Sequence, residues 1–373
     1  MIYLDSAATS LYKPETVQLA VLDAINHMAS PGRGSHAPAM AAAECCFVCR
    51  ERLAELFHVP QPEQIVFTFN ATHALNIAIR SVVRPGAKVL ISGWEHNAVT
   101  RPLHALGAEK LVIDTPLFDS QAFLRRAEEL LPRAEAVICT HVSNVFGYVL
   151  PIEALAKLCR DSGKPLIIDA SQSAGILDLD AAALGAEFVA MPGHKGLMGP
   201  QGTGVLICKN DASPLLYGGS GSESVRQEMP DFLPDRLEAG THNVTGIAGL
   251  SAGVRYLLER GTAAIRETER ALLSELASGL KATGGVRLFW SDAPAFQCAV
   301  LSVLPEAMDC DAFGGALGEA GIAVRTGLHC APLAHRTAGT LETGTVRFSV
   351  SPFNTARQIR RTLAECEKIL KFF

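Results

Sequence analysis

The chain has 373 residues, of which 48% are hydrophobic and 19% are charged, and its formal net charge at pH 7 is −5. This length allows two domains with substantial cores, and the composition is that of a globular protein. The small negative charge gives no reason to expect nucleic acid or an anionic membrane as a partner. No apolar run reaches the length of a membrane span, and the N-terminus lacks a secretory signal pattern, so secretion is not expected.

The cysteines point to a reducing compartment. Ten cysteines without a secretory signal favour free thiols and a cytoplasmic location. Cys45, Cys46 and Cys49 form the only cluster, inside a helical stretch, and no second Cys or His pair follows with matching spacing. We therefore predict packed apolar side chains there and no metal site.

In chain order, a strand-like run at residues 1–4 comes first. Between about residues 64 and 210, apolar strand-like runs alternate with helical stretches, which predicts an α/β fold with a mostly parallel sheet covered on both faces. The clearest strands are 64–69, 88–92, 136–140, 165–169 and 204–208. After the Gly- and Ser-rich turn at 218–222, a long helical stretch is predicted from near Gly246 through Glu269. Beyond about residue 260, strands and helices indicate a smaller α+β domain.

The most informative motif is residues 191–196, which place Lys195 between glycines directly after an apolar run. A lysine amine attacks a carbonyl only when it is neutral, so a Schiff-base lysine is usually desolvated or placed near other cations. His194 and the preceding apolar residues suit that chemistry. On its own the motif is weak, because most lysines in Gly-rich turns are solvated.

A second residue, Asp169, favours the interpretation of Lys195 as a Schiff-base lysine. It closes the apolar run 165–168 and so lies at the C-terminal end of a predicted buried parallel strand, the edge at which open α/β sheets bind ligands. Pyridoxal phosphate needs this pairing, because a carboxylate keeps its pyridine nitrogen protonated while a lysine amine binds its aldehyde.

Together these motifs resemble the class V aminotransferase-like, fold-type I pyridoxal-phosphate enzymes, and within them the cysteine desulfurase and selenocysteine lyase group. The resemblance extends from residues 3–9 to residues 353–355. It implies a large cofactor-binding domain at residues 15–255, a small domain made of residues 1–14 and 256–373, and a homodimer.

The resemblance also implies how the cofactor phosphate is held. Thr72, where a strand gives way to a helix, is the phosphate candidate, although an ordinary threonine N-cap fits the local sequence equally well. Thr241, in the stretch 238–243, would reach across from the second subunit. Pro192 stands where many members carry a serine or threonine, so one phosphate hydrogen bond must be missing or replaced.

The resemblance also implies roles for other residues around the cofactor. His96, in the Glu-His pair after a strand, would stack on the pyridine ring and move a proton, whereas without the resemblance it reads as a loop histidine. Asn144 would contact the phenolic oxygen or the substrate, and Gln172 would hydrogen-bond the same oxygen. The full implied cofactor set is Thr72, His96, Asn144, Asp169, Gln172, His194, Lys195 and Thr241.

The loop at residues 324–332 contains the residues that indicate which reaction is catalysed. Cys330 follows a histidine in a Gly-containing loop near Arg325, and such neighbours favour the thiolate, although an isolated cysteine is more often an inert buried residue. The resemblance implies that Lys195 acts as general base and that Cys330 takes the sulfur of L-cysteine as a persulfide, which releases L-alanine. Arg347 would bind the substrate carboxylate, and Ala8 would lie beside the substrate.

Several alternatives stay open. A selenocysteine lyase would use the same scaffold with L-selenocysteine, and a class V aminotransferase acting on a small amino acid would not need Cys330. A sulfur carrier could keep the fold without turnover. The identity of a sulfur-acceptor protein cannot be read from the chain.

Three departures from the familiar desulfurases indicate a divergent subgroup. They are Pro192, a Lys195–Pro200 spacing that is one residue longer, and Leu328 in place of a frequent histidine. His335 and Arg336, which follow the cysteine loop, belong to the same region.

Overall fold

The computed structural model describes residues 1–32 and 34–372, and these ranges contain thirteen strands and twelve α-helices. The strands are β1 Ile2–Tyr3, β2 Ile65–Thr68, β3 Lys88–Ser92, β4 Glu109–Ile113, β5 Ala136–Thr140, β6 Leu166–Asp169, β7 Phe188–Pro192, β8 Gly204–Cys208, β9 Val286–Phe289, β10 Val300–Pro305, β11 Ile322–Ala323, β12 Arg325–Gly327 and β13 Thr345–Ser349. The helices are α1 Glu15–His27, α2 Ala37–Leu56, α3 Ala71–Val82, α4 Asn97–Ala105, α5 Ser120–Leu130, α6 Ile152–Asp161, α7 Ala181–Leu184, α8 Val244–Arg260, α9 Thr262–Thr283, α10 Cys310–Glu319, α11 Pro332–Ala338 and α12 Ala356–Phe372.

The main sheet has seven strands in the order β2-β8-β7-β6-β5-β3-β4. Strands β3 to β7 pair in parallel, and β8 runs antiparallel to both of its neighbours. Every residue of β5, β6, β7 and β8 is buried, as expected for strands covered on both faces. The predicted mostly parallel α/β fold is confirmed.

Two hydrophobic cores cover the two faces of this sheet. One contains residues of α2, α5, α6 and α8, and the other contains residues of α3 and α4. Because β2 is also parallel to β3–β7, six strands end at the same edge of the sheet. The loops that follow five of them, β2, β3, β5, β6 and β7, carry the polar residues singled out in the sequence.

A second, four-stranded antiparallel sheet has the order β12-β13-β10-β9. Helices α9, α10 and α12 share a separate core with it. The N-terminal strand β1 pairs in parallel with β11, so the first residues of the chain lie beside the C-terminal part.

The predicted continuous helix from Gly246 through Glu269 is wrong in one respect. The chain forms two helices, α8 and α9, separated at Gly261, whose φ of 81° is unfavourable for other residues. Residue 255, the predicted domain boundary, lies inside α8. Within residues 1–32 and 34–372, no helix is long and apolar enough to cross a membrane.

Candidate active site

A cavity of about 210 Å³ lies at the carboxyl edge of the main sheet. Thr72, His96, Asn144 and Asp169 line it from the ends of four different strands. Gln172, His194, Lys195 and Ala8 line it as well. The fold therefore brings together eight of the predicted site residues, and they come from segments up to 187 residues apart (Ala8 to Lys195).

Lys195 follows β7 and carries an unpaired amine. No hydrogen bond or ion pair joins its Nζ to any of the residues that the structure describes. Burial lowers the pKa of Lys195 to about 8, the nearby Asp169 carboxylate raises it, and Arg347 lowers it further. An amine with this pKa is about one-tenth neutral at pH 7. Lys195 is thus prepared for attack on a carbonyl.

The glycines around Lys195 are required by close approach. A Cβ on Gly193 would lie 2.1 Å from Thr203 Oγ1, and a Cβ on Gly196 would lie 2.2 Å from the carbonyl oxygen of Ala174. Neither position has room for a side chain. The two glycines let the turn carrying Lys195 pack directly against the sheet edge.

Asp169 and His96 are held in defined orientations. Asp169 Oδ1 accepts a hydrogen bond from the Ser171 amide at 2.9 Å. His96 Nδ1 accepts from the Ala98 amide at 3.0 Å and caps α4, so the ring carries its hydrogen on Nε2 when it is neutral. Burial lowers the pKa of His96, while Asp169 raises it.

The start of α3 contradicts the alternative that Thr72 is an ordinary N-cap. The helix N-cap is Asn70, whose Oδ1 accepts from the His73 amide at 2.9 Å. Thr72 lies in the first turn with an exposed side chain. Its hydroxyl is therefore not used for capping and is left to a ligand at the helix N-terminus.

Arg347 lies outside the cavity lining, in the middle of β13. Its guanidinium is buried and donates to Asp5 Oδ1 at 2.8 Å and to the carbonyl oxygen of Asn144 at 3.0 Å. Its Nε is buried and has no hydrogen-bond partner among the described residues. Arg347 Nε is therefore free to donate, and Nη1 of the same guanidinium contacts Asn144, which does line the cavity.

Cys330 lies on an exposed loop that is tied to the cavity. The Asn97 amide donates to the carbonyl oxygen of Cys330 at 2.8 Å, and Asn144 Nδ2 donates to that of His329 at 2.8 Å. His329 and Cys330 both have left-handed backbone, with φ of 51° and 56°. Such a conformation costs a non-glycine residue about 1–3 kcal/mol, so these contacts hold a strained loop.

The remaining predicted residue, Thr241, does not line the cavity. It is exposed in the loop that precedes α8. A role within one chain therefore has no support from its position.

The class-V aminotransferase family model matches residues 2–362. The chain belongs to this family. A protein from Methanothermobacter thermautotrophicus named "Probable cysteine desulfurase" is 31% identical, over 96% of this chain and 92% of that protein. A Vibrio cholerae protein of the same name is 32% identical, over 99% and 93%.

Solved structures of cysteine desulfurases have the same fold as this family member. The apo enzyme from Thermococcus onnurineus NA1 superposes with a TM-score of 0.91 and 30% identity, and the match covers 100% of this chain and 95% of that one. A cysteine desulfurase from Escherichia coli gives a TM-score of 0.85 at 27% identity, with coverage of 100% and 95%. Fold and family thus agree.

Membership of this family implies pyridoxal phosphate as cofactor, and the donor set of the cavity fits that group. An unpaired amine suits its aldehyde, a carboxylate at the strand end suits its protonated pyridine nitrogen, and free amides at the start of α3 suit its phosphate. Pro192 lines the same cavity and supplies no hydrogen-bond donor.

Two buried acids of the site were missed by the sequence analysis. Asp5 binds Arg347 and Arg325, and no local pattern marks a partner so distant in sequence. Glu95 accepts hydrogen bonds from the Ser92 hydroxyl and, at 2.7 Å, from the Thr140 amide, which joins the ends of β3 and β5. Burial raises the pKa of Glu95 to about 8. The position of Glu95 directly before His96 was the feature of the sequence that could have identified it.

Proposed function

We propose that the protein is a pyridoxal-phosphate-dependent cysteine desulfurase, which converts L-cysteine to L-alanine and carries the sulfur on Cys330. The observation behind this proposal is the position of Cys330. It is the exposed member of ten free cysteines and lies on a loop bonded to Asn97 and Asn144, beside the Lys195 cavity. A transaminase would have no use for a nucleophile at this place.

Named residues would hold the cofactor. Lys195 would bind its aldehyde, Asp169 its pyridine nitrogen, and the start of α3 with Thr72 its phosphate, while His96 would lie against the ring and Asn144, Gln172 and His194 would surround it. When bound, the cofactor withdraws electrons from the amino acid and so makes its Cα proton acidic.

The protein's own groups would move the protons. The Lys195 amine, with its lowered pKa, would take the Cα proton of the substrate and later return a proton to that carbon. His96, which carries its hydrogen on Nε2, would supply a proton to the methyl group of alanine. Both side chains line the cavity, so neither has to cross the protein to act.

Arg347 would orient the substrate. Its unpaired Nε would donate to a carboxylate oxygen, while Asp5 holds Nη2 and the Asn144 carbonyl holds Nη1. Ala8, at the rim of the cavity, would leave room for a small side chain.

Sulfur transfer balances without an external oxidant or reductant. The Cys330 thiol and L-cysteine give the Cys330 persulfide and L-alanine. The carbon–sulfur bond of the substrate breaks, and a sulfur–sulfur bond forms at Cys330. The electron pair of the broken bond ends in a new carbon–hydrogen bond, whose proton corresponds to the one that leaves the Cys330 thiol.

Four further features belong to this proposal. A homodimer, in which Thr241 reaches the phosphate end of the partner's cavity, would give that exposed residue a role. The persulfide would pass to an acceptor protein. The large and small domains would be residues 15–255 and residues 1–14 with 256–373. Ten free thiols favour a reducing, cytoplasmic location.

The test is incubation of the protein with pyridoxal phosphate and L-cysteine, followed by quantification of alanine and of added sulfur at Cys330 by mass spectrometry. Wild type and the control Cys45→Ser should form both products, whereas Cys330→Ser should bind the cofactor and form no persulfide. Alanine release from L-selenocysteine alone, unaffected by Cys330→Ser, would instead identify a selenocysteine lyase. A requirement for an oxo acid would identify an aminotransferase.

A further inference from the structure

Three polar side chains behind the Cys330 loop form a continuous series of contacts that the proposed reaction does not use. His329 Nε2 lies 3.2 Å from the carbonyl oxygen of Arg325. His329 Nδ1 lies 3.4 Å from His335 Nε2, and the two rings are inclined by only 10°. His335 Nδ1 in turn lies 2.8 Å from Thr340 Oγ1. The series thus runs from the Cys330 loop through His335 in α11 to Thr340, which lies two residues after the end of that helix.

The direction of every hydrogen bond in this series follows from its first member. A carbonyl oxygen can only accept, so His329 donates from Nε2 and, when neutral, accepts at Nδ1. His335 must then donate from Nε2 and accept at Nδ1. The Thr340 hydroxyl must therefore donate to His335. Its other acceptor, the carbonyl oxygen of His335, is more distant at 3.5 Å.

Burial keeps both histidines neutral, which this direction requires. His335 is fully buried and Thr340 nearly so, while His329 is 8% exposed. Burial lowers the pKa of His329 to about 3, and the cations Arg347 and Arg325 lower it further. Burial lowers the pKa of His335 to about 4. The ring of Phe146 packs against His335 at 5.7 Å between centroids, which helps exclude water.

The chain holds the residue that precedes the nucleophile. The backbone of His329 is bound by Asn144 Nδ2, and its side chain is bound by His335 and by Arg325 O. Because the backbone and the side chain of His329 are both bound, its left-handed backbone conformation is fixed. The position of the next residue, Cys330, is fixed with it. The Arg325 carbonyl sets the order, and the Thr340 hydroxyl completes it by donating to the Nδ1 lone pair that this order leaves on His335.

We propose that His335 and Thr340 are positioning residues, whose directed hydrogen-bond chain through His329 holds the Cys330 loop ready for sulfur transfer. The effect on catalysis rests on the proposed function. The chain itself rests on the contacts alone.

Nitrogen-15 NMR of the wild-type protein tests the chain directly, without cofactor or substrate. The signals of His329 and His335, assigned with His329→Gln and His335→Gln variants, should show neutral rings with the hydrogen on Nε2 at pH 7. A hydrogen on Nδ1 of either ring, or a protonated ring, would overturn the proposal.

A matched pair of substitutions tests the positioning role. Thr340→Val keeps the shape of the side chain but removes the donor, and Thr340→Ser keeps the donor. We expect Thr340→Val to shift the nitrogen-15 signal of His335 Nδ1, which loses its donor, to speed amide hydrogen exchange at residues 328–331, and to lower kcat about tenfold with KM nearly unchanged. Thr340→Ser should restore all three readouts.

If Thr340→Val and Thr340→Ser give the same result in all three measurements, Thr340 contributes only packing and the proposal is refuted. The outcome is separable from the proposed function. If the wild type forms no alanine from L-cysteine, the tautomer and exchange measurements still decide whether the chain holds the loop.

Discussion

Arg347 Nη2 lies 2.8 Å from Asp5 Oδ1, although 342 residues separate the two in the chain. The same carboxylate binds Arg325, whose Nη2 lies 2.8 Å from Asp5 Oδ2. One buried carboxylate thus pairs with two guanidinium groups beside the cavity. It joins the segment that follows β1 to β12, which leads into the Cys330 loop, and to β13, which carries Arg347.

The Asp5→Asn variant should lose about 3 kcal/mol of unfolding free energy in urea denaturation, because a buried arginine is left without its counter-ion. Asp161→Asn is the control, since Asp161 pairs with Lys157 on the surface, where the two side chains are 59% and 70% exposed. That variant should change stability by less than about 1 kcal/mol. Similar losses in both variants would contradict a special role for the buried pair.

The native protein should react rapidly with a thiol reagent at Cys330 and slowly at Cys45. Cys330 is exposed, Cys45 is partly buried, and the other eight cysteines are buried. Peptide mass spectrometry after brief labelling with iodoacetamide measures this. The fast phase of iodoacetamide labelling should be absent from Cys330→Ser and present in Cys45→Ser. Rapid labelling of a cysteine such as Cys139 would show that the core is more open than the structure indicates.

Pyridoxal phosphate should attach to Lys195 and not to Lys13. Burial lowers the pKa of both amines to about 8, so basicity does not separate them. Lys13 Nζ, however, already donates to the carbonyl oxygen and hydroxyl of Ser10 at 2.7 and 2.6 Å, whereas Lys195 Nζ has no partner among the described residues. Borohydride reduction followed by peptide mapping locates the attachment. Lys195→Ala should abolish it and Lys13→Ala should not.

Glu269→Gln should stabilise the protein increasingly as the pH rises from about 5 to 8. Glu269 lines a cavity of about 30 Å³ with Ser6 and Lys195, and its buried Oε2 has no partner among the described residues. Burial raises the pKa of Glu269 from 4.5 to about 8. The folded state then holds a proton that the unfolded state releases, so stability is lost as the pH rises through this range.

Thermal unfolding of the apo protein across that range measures the effect. The Tm of wild type should fall relative to that of Glu269→Gln. Glu95, with a similarly raised pKa, contributes equally to both proteins and so cancels. Glu267→Gln is the control, because Glu267 is exposed on the same helix. Parallel Tm curves for wild type and Glu269→Gln would rule out a neutral buried acid.

A homodimer should cover the apolar faces of α1 and α2. Leu22 and Ile25 on α1 are 58% and 63% exposed, and Met40 and Phe47 on α2 are 62% and 49% exposed. Such a concentration of exposed apolar side chains marks an interaction surface. Light scattering should show a dimer that Ile25→Glu weakens. Val225→Glu is the control, since Val225 is 97% exposed outside these helices. A monomeric wild type would contradict the dimer.

Much of the site could be predicted because it is built from strand ends. Lys195, Asp169, His96 and Asn144 each follow an apolar strand, and parallel strands bring their carboxyl ends to one edge. Local sequence therefore pointed to Lys195 and Asp169, and the family resemblance added His96 and Asn144. The helix break at Gly261 was missed because a single glycine within a helical pattern is usually tolerated. The N-cap role of Asn70 was missed because two neighbouring residues could both cap.

The sequence by itself determined the α/β fold and the family, and it predicted Lys195 with Asp169 as its carboxylate partner. These follow from hydrophobic periodicity and from short motifs, whose meaning is local. Only the tertiary structure decided that Asp5 balances Arg347 and Arg325, that Glu269 is buried without a partner, and that Thr340, His335 and His329 form one chain. Such features depend on burial and on contacts between distant segments, and the packing of the whole chain sets both.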